Sequence, residues 1–231
     1  MKNNYIAGEW RQGSEYIQNV NPSDTDDIIG QYAIGSADDV QDAVSAAVAA
    51  QPAWSSSTSG ERYEILDAIG SEIIRCKEQL GDLLAREEGK TLKEAVAEAH
   101  RAGSLFKFFA AEAYRSETEG YRSLRQGVSL EVRREPVGVV AAITPWNFPL
   151  AIPAWKIAPA LAYGNSVIFK PAELVPGSAW ALAEIISRAG LPDGAFNLVM
   201  GHGADVGATL VEHPDVAGVT FTGSTNVGRK I

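Results

Sequence analysis

The feature that most constrains the fold lies in residues 137–231. Four apolar runs occur there, Val137–Thr144, Ser166–Phe169, Ala195–Met200 and Val216–Thr222, and none alternates with polar residues. Short runs of this kind are what strands buried on both faces require. Helical stretches follow the first three, at Pro149–Ala162, Ser178–Ala189 and Ala204–Val211. Strand and helix in regular succession predict an α/β fold, a Rossmann-like parallel sheet with flanking helices. In such sheets ligands sit outside the carboxyl ends of the strands. Polar residues at those ends are therefore the first candidates for chemistry.

The residues before this core read differently. Tyr5–Gln18 alternates around Gly8 and Gly13 and predicts a hairpin, Val20–Ser23 a turn, and Ile28–Ile34 a further strand. Ser36 followed by Asp38 and Asp39 marks a helix start. That helix should bury Val40, Val44, Ala47 and Val48 and end near Pro52. A second helix fits Gly60–Leu80 on the stripe Ile65, Ile69 and Ile73. A third starts near Asp82, breaks around Gly89 and resumes to Tyr114. Gly120–Arg134 alternates weakly and is rich in arginine, which suits an exposed two-stranded arm. The expected organisation is an N-terminal hairpin with helices over 1–119, an arm over 120–136, and the sheet core over 137–231.

Charge and cysteine usage remove several classes of function. Twenty Lys and Arg stand against 29 Asp and Glu, a net charge of −9, which disfavours nucleic acid or an acidic membrane as partner. No apolar run approaches the ~20 residues a bilayer span needs, and Met1–Trp10 lacks the apolar core of a signal peptide. Cys76 is the single cysteine, so no internal disulfide can form and a cytoplasmic location is expected. Three scattered histidines, His100, His202 and His213, offer no metal-ligand spacing.

Five segments carry candidate chemistry, each with a plainer alternative. Glu88-Gly89-Lys90-Thr91 has the tail of a phosphate-binding loop, but Leu84 stands where its first glycine belongs and no strand precedes it. A helix kink with a solvated Lys90 is the expectation there. Gly201–Gly207 is either a dinucleotide turn, with Gly203 and Gly207 near a cofactor, or a tight strand-to-helix turn. Thr222–Gly228 follows a strand and opens a helix at Ser224 or Thr225, forming an anion site or a plain cap. Asn147 either donates to a developing oxyanion or satisfies its own turn. Lys170 and Glu173 either hold ribose oxygens or make a surface ion pair.

Taken in order, TPWNFPL (Thr144–Leu150), AWKIAPALAYGN (Ala154–Asn165), FKPAE (Phe169–Glu173), GLPDGAFNLVMG (Gly190–Gly201) and FTGSTNVG (Phe221–Gly228) resemble the aldehyde dehydrogenase superfamily. EEGKTLKEA (Glu87–Ala95) fits the same family. PLAIPAWKIAPALAYGN and KPAELVPGSAWALAEI are most similar to the branch acting on 2-oxoglutarate semialdehyde (2,5-dioxopentanoate).

The resemblance implies attack of a cysteine thiolate on an aldehyde, hydride transfer to NAD or NADP, and hydrolysis to the acid, in a homodimer or homotetramer. It implies that Asn147 stabilises the oxyanion and that Lys170 and Glu173 contact the adenosine ribose. Gly223 and Ser224 would meet the pyrophosphate. Thr144, Pro145, Trp146, Ala172, Gly203, Gly207, Phe221 and Thr222 would complete the cofactor site. Lys156 matches a lysine that serves some members as a proton relay, a structural helix lysine being the alternative. A carboxylate at Glu173 favours NAD, while Lys170 keeps NADP open. The family's nucleophile and general base are expected beyond Ile231, with Cys76 a structural thiol. The expectation is thus the cofactor-binding half of an aldehyde dehydrogenase, inactive alone. A non-catalytic nucleotide-binding protein and a succinate-semialdehyde-type fragment are the alternatives.

Overall fold

The computed structural model describes residues 1–115 and 118–231. At its centre lie four parallel strands, β7 (Val139–Ile143), β8 (Ser166–Lys170), β9 (Phe196–Leu198) and β10 (Val216–Phe221). Every residue of β7, β8 and β9 is buried, as their unbroken apolar sequences require, whereas β10, expected to be buried like them, is the edge strand and none of its residues is fully buried. Val139 pairs with Ser166 and Val167 with Phe196, while β10 joins the other side of β7 with a register shift between Val216 and Gly218.

The sheet is mixed, because the N-terminal hairpin is built into it. Strands β1 (Asn4–Ile6) and β2 (Glu9–Arg11) extend the order to β10-β7-β8-β9-β1-β2, with β1 antiparallel to β9. Two buried asparagines dock the hairpin. Asn4 Oδ1 accepts from the Met200 N–H at 2.9 Å, and Asn197 Oδ1 accepts from the Ala7 N–H at 3.0 Å. A second hairpin, β3 (Glu15–Asn21) and β4 (Asp24–Ile34), turns at Pro22 and Ser23.

Helices cover both faces. On one, α1 (Ala37–Ser55) lays Val40, Ala43, Val44 and Ala47 on Val139, Ala141 and Ile168. Ser36 caps it through a reciprocal pair with Asp39. The other face carries α5 (Ala151–Ala162) and α6 (Pro176–Ser187) beneath a layer of α2 (Ser59–Arg75), α3 (Lys77–Glu88) and α4 (Leu92–Ala113). Helices α2 and α4 approach closely at two glycines. A Cβ on Gly70 would lie 2.7 Å from the Gly103 carbonyl oxygen.

Several boundaries differ from expectation. Helix α1 runs through Pro52 to Ser55, since a proline in the last turn forfeits only one helical hydrogen bond. Val48 is 43% exposed, off the buried stripe. The Gly60–Leu80 helix is two helices parted at Cys76, where no glycine or proline marks the break. The break at Gly89 is present, with that residue left-handed at φ 81°. Strands β5 (Thr118–Arg122) and β6 (Ser129–Arg133) form an antiparallel ribbon exposed at every residue. Among the described residues no helix is long and apolar enough to cross a membrane.

Candidate active site

The carboxyl ends of β7, β8 and β10 open onto a cleft of about 1090 Å³. Ladder-like hydrogen bonds pin its floor: the Thr144 N–H donates to the Lys170 carbonyl at 3.2 Å, and the Thr222 N–H to the Ile143 carbonyl at 3.1 Å. Thr144, Pro145, Trp146 and Asn147 line the cleft from the loop after β7, and Lys170, Ala172 and Glu173 from the end of β8. Gly203 and Gly207 line it from a π-helical turn (Gly203–Gly207) that leads into the short helix α7 (Ala208–Glu212). Phe221, Thr222, Gly223 and Ser224 line it from the end of β10. Nothing lies within 4 Å of where a Cβ would project from Gly203 or Gly207, so a ligand can reach the backbone there. Ser224 caps the following turn α8 (Thr225–Gly228), its Oγ accepting from the Val227 N–H at 3.3 Å.

Lys170 and Glu173 are not a surface ion pair. Lys170 is 5% exposed, and among the described residues its Nζ has no hydrogen-bond or ion-pair partner. Burial pushes its pKa down, against a weaker upward pull from Glu173. Glu173 instead accepts from the Gly203 N–H and lies against His202 Nδ1, each at 3.3 Å. Lys170 therefore presents a buried cation with hydrogens unused, at the edge of a cavity wide enough for a dinucleotide. Those features fit a bound nucleotide.

Lys156 is the exception among the candidates, for it does not line the cleft. Its Nζ donates to Thr220 Oγ1 at 2.9 Å, tying α5 to β10, and burial lowers its pKa. Cys76 sits at the α2–α3 junction with its thiol donating to the Glu72 carbonyl at 3.0 Å. Burial raises its pKa, the opposite of what a thiolate nucleophile needs.

Lys90 is not solvated, contrary to expectation. Its Nζ lies 2.6 Å from Glu98 Oε2 and 2.8 Å from Glu88 Oε2, and its side chain is 12% exposed. It also donates to the Asn147 carbonyl at 3.0 Å and stands 4.5 Å over the Phe148 ring. Burial works against this charge, but the two carboxylates outweigh it and the Lys90 pKa rises. Glu98 Oε1 accepts from the Leu150 and Ala151 N–H groups at 3.0 and 3.2 Å, capping α5, which has no side-chain cap of its own. Glu87 does the same for α6, accepting from the Gly177 and Ser178 N–H groups and from Asn19 Nδ2. The sequence carried a sign of both: Leu80, Leu84 and Glu87 share one stripe, as do Ala95, Glu98, Ala99 and Ala102, so each carboxylate falls on a buried helix face.

Residues 10–231 match the model of the aldehyde dehydrogenase family. The chain is 42% identical to 2,5-dioxopentanoate dehydrogenase of Saccharolobus solfataricus, covering 98% of this chain and 48% of that protein. Its fold superposes on an aldehyde dehydrogenase of Brucella melitensis biovar abortus with a TM-score of 0.96 and 37% identity, over 100% of this chain and 48% of that one. Betaine aldehyde dehydrogenase of Staphylococcus aureus, solved in complex with NAD+, gives 0.95 and 34%, over 100% and 46%. An α/β sheet open at its strand ends, with a nucleotide-sized cleft there, thus has its relatives among oxidoreductases. The chain belongs to the aldehyde dehydrogenase family. It spans about half the length of the curated relatives it matches.

Proposed function

We propose that these residues are the cofactor-binding half of an NAD-dependent dehydrogenase that oxidises 2-oxoglutarate semialdehyde (2,5-dioxopentanoate) to its acid. One observation carries the reading: Asn147, Lys170, Glu173, Gly223 and Ser224, scattered over 78 positions from 147 to 224, converge on one cleft at the strand ends. The substrate assignment is supported by the activity named for the Saccharolobus relative, and the coenzyme by the NAD+ held in the staphylococcal neighbour.

When bound, the nicotinamide supplies the hydride acceptor. Lys170 donates its free hydrogens to the oxygens of the adenosine ribose, and Glu173 accepts from a ribose hydroxyl. A carboxylate there repels a 2′-phosphate, which favours NAD over NADP. Gly223 and Ser224, at the start of α8, would meet the pyrophosphate beside the Phe221 ring, which packs over Gly223. Gly203 and Gly207 also border the cleft, with nothing within 4 Å of a projected Cβ. From the loop after β7, the Asn147 amide would donate to the oxyanion that forms when a nucleophile adds to the aldehyde carbon. Cys76 is not that nucleophile, so on this reading the thiolate comes from protein outside these 231 residues. Lys156 has a structural part, joining α5 to β10. The exposed ribbon of β5 and β6, with Tyr121, Leu130 and Val132 outward, pairs with a second copy in a cytoplasmic homodimer or homotetramer.

The test is steady-state kinetics of the full-length enzyme on a panel of semialdehydes with NAD+ and NADP+. The highest kcat/KM is expected for 2-oxoglutarate semialdehyde with NAD+. A preference for succinate semialdehyde overturns the substrate, and failure to oxidise any aldehyde overturns the activity. Turnover by a protein of these 231 residues alone would show that the nucleophile lies within them.

A further inference from the structure

Three charged groups outside the cleft meet at the back of the loop that carries Asn147. Lys90 comes from the turn between α3 and α4, Glu88 from the end of α3, and Glu98 from the second turn of α4. The two that touch the loop hold it at both ends. Lys90 Nζ donates to the carbonyl of Asn147 itself, and Glu98 Oε1 takes the N–H groups of Leu150 and Ala151. They also bind each other at 2.6 Å, with the Glu98 side chain 2% exposed. The clamp thus runs from the Asn147 peptide, through an ion pair, to the first turn of α5.

Capping of α5 does not account for this. Glu98 alone satisfies the helix terminus, and Lys90 adds nothing to those N–H groups. A buried ion pair also gives little net stability over an apolar pair of the same volume, because both charges must be desolvated. The Lys90 contact that remains unexplained is the one to the Asn147 carbonyl. Trp146, Asn147 and Phe148 are exposed, so few packing contacts fix this peptide from the cleft side. An amide that must meet an oxyanion within a few tenths of an ångström needs its backbone held, and displacement by ~1 Å can cost about a hundredfold in rate.

We propose that Lys90 and Glu98 are positioning residues that lock the loop so that the Asn147 side chain is preset to receive the oxyanion. The proposal rests on the dehydrogenase reading above, and it adds that the catalytic geometry of the cleft is set from the helical layer. It places the function of the EEGK segment on the peptide of Asn147, with no part in holding a phosphate.

The experiment is a double-mutant cycle in the full-length enzyme, with Lys90→Met, Glu98→Gln and Asn147→Ala singly and in pairs. The readouts are the burst rate of nicotinamide reduction and the Kd for NAD+. Lys90→Met is expected to slow the burst about tenfold or more, the scale of a modest misplacement, while the Kd changes less than about twofold. In the Asn147→Ala background the same substitution should cost less than about threefold, because the group it positions is gone. Glu98→Gln keeps an oxygen for the Leu150 and Ala151 N–H groups while removing one of the two carboxylates that hold Lys90, so it should slow the burst in the same direction and serves if Lys90→Met does not fold. An equal loss in both backgrounds overturns the positioning role, as does an unchanged burst rate in Lys90→Met or a failure of both variants to fold. An Asn147→Ala enzyme with an undiminished burst overturns the oxyanion assignment as well, which separates the two failures.

Discussion

Lys170→Met should make the empty protein more stable and a worse binder of nucleotide. Lys170 ends β8 at 5% exposure, and its Nζ is without a partner among the described residues. Its backbone carbonyl, which accepts from the Thr144 N–H, is untouched by the change. Methionine keeps the unbranched shape and removes the charge. Burial disfavours the charge, but the amine borders the open cleft, so the expected gain lies at the low end of the about 1–3 kcal/mol that a buried polar group lacking its hydrogen bonds costs on mutational scales. For a domain of this size ~1 kcal/mol moves Tm by roughly 2–4 °C, so the rise is on the order of a few degrees. Its pH dependence has a definite sign. The folded pKa of Lys170 is lowered below its ordinary value of 10.5, mainly by burial, so the folded state binds fewer protons than the unfolded chain between the two values. Wild-type stability therefore rises with pH across that window. The advantage of the variant is full below the window and fades as pH nears 10.5. Nucleotide binding should move the other way. Losing hydrogen bonds from a charged donor costs about 1.5–3 kcal/mol, or about 10- to 150-fold in Kd. Thermal unfolding with and without NAD+, across neutral to alkaline pH, reads both effects. A variant that is less stable than wild type when empty, or that binds NAD+ as tightly, would refute the reasoning.

Two further outcomes follow from the packing around the site. Burial raises the Glu87 pKa from 4.5 to about 7 despite the hydrogen bonds from Ser178, Gly177 and Asn19, so the folded state holds this proton longer than the unfolded chain. Stability attributable to Glu87 is therefore fullest below 4.5 and declines as pH rises to about 7, by on the order of 3 kcal/mol at most. Urea unfolding of wild type and Glu87→Gln at a series of pH values should give diverging curves over that window, and parallel curves would contradict the assignment. Gly70→Ala should destabilise by about 1–3 kcal/mol through overpacking, since its Cβ would meet the Gly103 carbonyl at 2.7 Å and the Lys107 backbone nitrogen at 3.0 Å. Gly60→Ala on the same helix meets nothing closer than 3.7 Å and should be neutral or slightly stabilising, so equal losses in the two variants would sink the close-approach argument.

What the sequence revealed depended on the reach of the interactions. Strands β7, β8 and β9 were legible because burial on both faces leaves an unbroken apolar run, and Ser36 was legible because its partner Asp39 is three residues away. The docking of the N-terminal hairpin was not. It rests on Asn4 meeting Met200 and Asn197 meeting Ala7, contacts across more than 180 residues between polar groups that local periodicity cannot pair. The break at Cys76 was hidden because the spacing from Ile73 to Leu80 keeps helical phase across it. Lys90 was read as solvated because charge on a turn is usually exposed, and its partners Glu98 and Asn147 lie eight and 57 residues on. Lys156 lies in α5, the helix that follows the cleft loop, yet its amine reaches Thr220 on β10.

The two helix caps also constrain how a dinucleotide can lie here. In many open α/β sheets the diphosphate rests on the N-terminus of the helix that follows a core strand, where free N–H groups and the helix dipole attract it. Two of the corresponding termini in this fold, those of α5 after β7 and α6 after β8, are already filled. Glu98 takes Leu150 and Ala151, and Glu87 takes Gly177 and Ser178, each with a carboxylate 5% exposed or less. A phosphate arriving at either terminus would have to expel a buried carboxylate and then face it. Those two termini are closed by the chain's own carboxyl groups. The open groups are the Lys170 ammonium and the glycine turn after β9, both of which border the cleft. On the proposed function, a nucleotide would keep its anionic part away from α5 and α6 and lie along the strand ends that line the cleft.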